Sequence, residues 1–132
     1  MNIAICSEDR DELTVAKNMI AKIEEKQGLK VNIIFAGYWK DLLLRDDLWT
    51  LSAVFISGND WDEALPKIQM ALLESDRDHP TEKDSKVVLS YLHHPLQEKY
   101  FTKILKMASG REAVSIPTKD GARSIPAVSY TH

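Results

Sequence analysis

Ser7, Glu8, Asp9, Asp11 and Glu12 crowd one short stretch, Ser7-Glu8-Asp9-Arg10-Asp11-Glu12, directly behind an apolar run. Carboxylates so placed can hold Mg²⁺, which takes a few oxygens and keeps several waters. Glu8 and Asp9 are the candidate ligands. The competing reading, which we favour, is structural: Asp9 caps the helix that follows and Glu8 suits its dipole. A phosphate meets the wrong surroundings here. The stretch has four carboxylates and no glycine, whereas a phosphate cradle needs backbone N–H groups at a glycine-rich turn. Rossmann-type and flavodoxin-type cofactors are therefore not expected, and no other cofactor is. His93 and His94 are neighbours on a turn and do not easily face one point, so they are read as turn residues and not as a metal pair. Cys6 ends an apolar run and is read as a small core residue. No Ser-His-Asp constellation follows from the spacing, and the chain is not expected to be an enzyme.

These side chains hang on a regular alternation of elements. Asn2-Ile-Ala-Ile-Cys6 reads as a strand buried on both faces. Leu13, Ala16, Ile20 and Ile23 recur at spacings of three and four, which predicts a helix to about Gln27, stopped by Gly28. A second strand is expected over 30–35, broken by Gly37, and a short helix over 39–44. Leu51-Ser-Ala-Val-Phe-Ile56 is the third strand. A helix follows over 60–74, regular from about Glu63 because Pro66 sits early in it. Residues 75–84 read as a polar loop, 86–92 as the fourth strand, and 96–107 as a helix with Tyr100, Ile104 and Met107 on one stripe. Strands alternating with helices imply a parallel sheet covered on both faces. In such sheets function gathers at the carboxyl ends of the strands, here residues 6–9, 35–37, 57–60 and 93–95.

Composition narrows the class. The 132 residues are 44% apolar and 28% charged, close to an ordinary globular domain. No apolar run approaches the ~20 residues that span a bilayer, and no basic, apolar leader opens the chain. The single cysteine excludes a disulfide framework and a cysteine-based zinc cluster. A cytoplasmic setting is the expectation, with no membrane partner. Residues 1–100 carry 12 basic and 18 acidic side chains, whereas residues 101–126 carry five basic against two acidic. The acidic body would repel nucleic acid; the basic end is consistent with the start of another module.

The ordered motifs resemble a known family. Met1-Asn-Ile-Ala-Ile-Cys-Ser-Glu-Asp9, Phe35-Ala-Gly37, Leu51-Ser-Ala-Val-Phe-Ile-Ser57 and Tyr91-Leu-His-His-Pro-Leu-Gln-Glu-Lys-Tyr-Phe101 together resemble the receiver domain of response regulators, of the subgroup that carries a LytTR DNA-binding domain. The resemblance covers residues 1–108 and implies a flavodoxin-like α/β fold. It places the receiver pocket at Ser7, Glu8, Asp9, Ser57, His94 and Pro95. It also implies three losses. One of the two Mg²⁺-binding carboxylates becomes Ser7. The phosphorylated aspartate becomes Ser57, a hydroxyl with no nearby base to activate it. The lysine before proline becomes His94, shorter and mostly neutral at pH 7. Phosphorylation at Ser57 is accordingly not expected. The 29 residues from Ser57 to Ser85 are fewer than the ~39 needed for helix, strand, helix and their loops, so one βα unit is expected to be missing.

Residues 109–126 look like a linker and the opening hairpin of a LytTR domain, with strands near 112–116 and 122–125 around Lys119-Asp120-Gly121. DNA contacts would come from elements of that domain beyond these. Residues 127–132 match what a transposon-based sequencing adapter encodes in one frame, so they are read as a non-native tail. The expected role is the regulatory half of a LytTR-type transcription regulator acting through self-association or a partner protein. The alternatives are a stand-alone interaction module without DNA binding and an active phosphoacceptor on another carboxylate such as Asp60.

Overall fold

The computed structural model describes residues 1–79, 87–110, 123–125 and 128–131, the last two stretches through their backbone. Its core is a parallel sheet with helices on both faces. Strand β1 (Asn2–Cys6) leads to helix α1 (Arg10–Gln27), then to β2 (Asn32–Gly37) and a single-turn helix α2 (Trp39–Leu42). A 3₁₀ turn at Leu48–Thr50 enters β3 (Leu51–Ser57), followed by α3 (Trp61–Asp78), β4 (Val87–Leu92) and α4 (Glu98–Ala108). These four strands lie in the order β2-β1-β3-β4, all parallel. This is the flavodoxin-like α/β arrangement, with four βα units among the described residues.

Alternation along the strands sorts the core into two layers. Ile3, Ile5, Ala53, Phe55 and Val88 meet Ala16, Ile20 and Ile23 of α1 and Phe101, Ile104 and Leu105 of α4. Ala4, Cys6, Val54, Ile56 and Leu89 meet Trp39 and Leu42 of α2 and Trp61, Ala64, Ile68 and Leu72 of α3. Both faces of the central strands are covered, which is why they read as unbroken apolar runs. Lys26 Nζ and Glu98 Oε1, 2.7 Å apart, tie α1 to α4 at the surface.

Element ends depart from the sequence reading for identifiable reasons. Strand β2 is shifted two residues later than expected, because pairing sets it: Asn2 lies opposite Asn32 and Cys6 opposite Gly37. Gly37 completes the strand instead of breaking it, and its carbonyl accepts from Ser7 N at 2.8 Å. Helix α2 stops at Leu42, leaving Leu44 83% exposed. Helix α3 begins at Trp61 despite Pro66, since Ala64 N already bonds Asp60 O at 2.8 Å. It then runs past Glu74 to Asp78; the polar 75–78 stretch that reads as loop is a solvated last turn. Helix α4 starts two residues later than expected, at Glu98.

Beyond α4, β5 (Arg123–Ile125) pairs antiparallel with β6 (Val128–Thr131), and β6 pairs parallel with β4. The expected hairpin strand 112–116 and its turn lie outside the described residues. A strand at 128–131 does not bear on the origin of that tail.

Candidate functional site

The site is assembled where β1, β3 and β4 end. Cys6 is fully buried, and burial together with the nearby Asp60 carboxylate pushes its thiol far above the ordinary range. It is a core residue, inert as a nucleophile. Ser7 is buried, and its Oγ accepts from Asp9 N at 3.0 Å, a local turn that aims the chain into α1. Asp9 is the N-cap: its Oδ1 accepts from Asp11 N at 2.9 Å and from Glu12 N at 3.3 Å. The capping reading of Asp9 therefore holds, and one of its oxygens is spent on the helix. Glu8 is exposed. Among the described residues no three His, Cys, Asp or Glu side chains come together as a metal site.

Ser57, at the end of β3, is 6% exposed. It lies between two connected pockets. One, of about 250 Å³, is lined by Ser7, Glu8, Asp9, Ser57, Asn59 and Asp60. The other, of about 420 Å³, takes in Glu12, Gly58, Tyr91 and the two histidines besides Asp9 and Ser57. Among the described residues no lysine or arginine lines either. The carboxylates crowd one another: burial first, then the charges of Glu8, Glu63 and Glu12, raise the Asp60 carboxyl above its ordinary range.

The histidines divide. His94 Nε2 meets Glu12 Oε2 on α1, with the His94 side chain 63% exposed and that of Glu12 only 3%. His93 turns away, packing against the rings of Tyr91 and Tyr100 at centroid distances of 4.8 and 5.1 Å. His94 is thus latched to the first helix. Glu12 was not singled out by the sequence reading, although it stands four residues before Ala16, on the buried stripe of α1. Its other oxygen, Oε1, is buried without a hydrogen-bond partner among the described residues.

The His94–Pro95 peptide is cis. Pro95 leaves the polar pockets and lines a neighbouring cavity of about 190 Å³, where Phe55, Leu92, Leu96 and Phe101 stand beside His93 and His94. The structure thus groups Ser7, Glu8, Asp9 and Ser57, sets His94 at the far side of the groove, and assigns Pro95 to a neighbouring cavity. Gly58 shows how tight the join is: a Cβ there would stand 2.5 Å from Tyr91 Oη and 2.9 Å from its Cζ. Tyr91 is in turn set edge-on to Trp61, 5.3 Å between centroids. Among the described residues no helix is long and apolar enough to cross a membrane. No family model, curated protein or solved structure matches the chain.

Proposed function

We propose that residues 1–108 are a receiver-like regulatory domain that signals through protein contacts without accepting phosphate at the usual position, the N-terminal half of a LytTR-type transcription regulator. One observation supports the non-phosphorylating part: β3 ends on the hydroxyl of Ser57, which lines pockets with Glu8, Asp9, Glu12 and Asp60 and, among the described residues, with no lysine or arginine. The strand order and the four matching motifs support the receiver part; the hairpin-like 112–126 sequence supports the DNA-binding half. Incubation with acetyl phosphate and Mg²⁺ followed by intact-mass spectrometry tests the reading. The unmodified mass is the expected result. A one-phosphate increase that base removes and that maps to Asp60 or Asp9 contradicts it and favours an active phosphoacceptor. The stand-alone interaction module is separated by reading the native locus past the codon for Pro126. A frame that continues for about one more domain with LytTR-like strands supports the regulator; an immediate stop supports the module.

A further inference from the structure

Helix α3 carries a face that the domain does not use. Trp61, Ala64, Ile68 and Leu72 are buried. On the opposite side of the helix, at the same spacing of three and four, stand Pro66, Met70, Leu73 and Arg77. Met70 is 64% exposed and Leu73 41%. From the geometry of this face we propose that it is a self-association surface, on which α3 of a second copy lies antiparallel with Met70 at the two-fold axis. The charges beside the stripe choose that partner. At 100° per residue, Glu63, Lys67 and Glu74 fall on one flank, with Arg77 at its edge. In an antiparallel pair centred on Met70, a residue lies opposite the one equally far beyond it. Glu63, seven residues before Met70, then faces the partner's Arg77, seven residues after it. Lys67, three before, comes beside the partner's Leu73 and Glu74, three and four after. Acid meets base in both cases. A parallel pair would turn this flank toward the partner's other flank, bringing Glu63 near the partner's Asp62, acid to acid, and leaving Lys67 and Glu74 on opposite sides of the seam, so the pattern selects the antiparallel one. Among the described residues none of these four side chains is held in an ion pair within its own chain. One helix face offers less than the ~800 Å² per partner of a stable interface, so the dimer is weak and concentration-dependent.

This surface lies on the face of the sheet away from α1 and α4 and does not rest on the phosphorylation reading. Sedimentation velocity of the full chain over a range of concentrations tests it. The expected result is a monomer–dimer equilibrium that weakens with added salt. Lys67→Glu should weaken it about tenfold, since a like charge then faces the partner's Glu74. Lys67→Glu combined with Glu74→Lys should restore it, and Met70→Glu should abolish it. All are exposed positions, and unchanged circular dichroism melts would show that the fold is intact. A chain monomeric at every concentration overturns the proposal. So does a dimer that Met70→Glu and the charge reversal leave unchanged, because it would use another surface.

Discussion

Glu12 is a carboxyl on the buried stripe of an amphipathic helix, held by a histidine from the far end of the sheet. Removing the histidine leaves that carboxyl without its partner, whereas removing both polar groups removes the problem. His94→Ala should therefore destabilise the domain by about 1–3 kcal/mol, and adding Glu12→Leu should recover much of the loss. Urea denaturation of the two single variants and the double variant measures the coupling. Asp9→Ala should cost about 1 kcal/mol through the lost cap, with the same loss in the presence and absence of Mg²⁺. A Mg²⁺-dependent part of that loss would mean that Asp9 is a ligand after all. Asp60 makes a pH prediction. Its carboxyl is raised in the folded state, so folding favours its protonated form, and its contribution is lost as pH rises through the folded value. Asp60→Asn should raise Tm slightly near neutral pH, by about 2 °C given solvent screening, and the gain should vanish below the ordinary aspartate pKa of 3.8. Melting curves across that pH interval read the sign directly.

At the scale of elements, what could be read from sequence and what could not divide along physical lines. Strand β1 and helix α1 were legible because each has its own signal: an apolar run buried on both faces, a spacing of three and four, Asp9 at one end and Gly28, with φ of 64°, at the other. Strand β2 was displaced because an edge strand takes its limits from the neighbour it pairs with, and pairing is not written in local hydropathy. The end of α3 was missed because Asp76, Arg77 and Asp78 look like loop by polarity, while a helix already anchored by Leu72 extends a further turn into solvent. The candidate site was half legible. Ser7, Glu8, Asp9 and Ser57 follow from strand ends, but the Glu12–His94 contact joins residues 82 apart in sequence, and no spacing rule reaches across that interval. The Gly58–Tyr91 join is of the same kind. Gly58→Ala should displace the Tyr91 ring and cost about 1 kcal/mol or more, and Tyr91→Phe should relieve part of it by removing the oxygen at 2.5 Å. A double-mutant cycle on thermal melts tests this coupling; additive effects would mean that the ring moves freely.

For the whole molecule, four parallel strands keep the geometry that gathers strand ends into one site, and the shortened sheet retains two packed layers. The site's Ser7 and its cap Asp9 are occupied in local turns, His94 is latched to α1, and its carboxylates repel one another. On the reading proposed above, this end of the sheet is a structural junction that does not bind the Mg²⁺ and phosphoryl pair. Amide NMR shifts recorded while Mg²⁺ and then beryllium fluoride, an acyl-phosphate mimic, are added test it most directly. The expected result is no saturable shift at residues 7–12, 57–60 and 93–94. Saturable shifts confined to those amides would contradict it and return the site to phosphoryl chemistry.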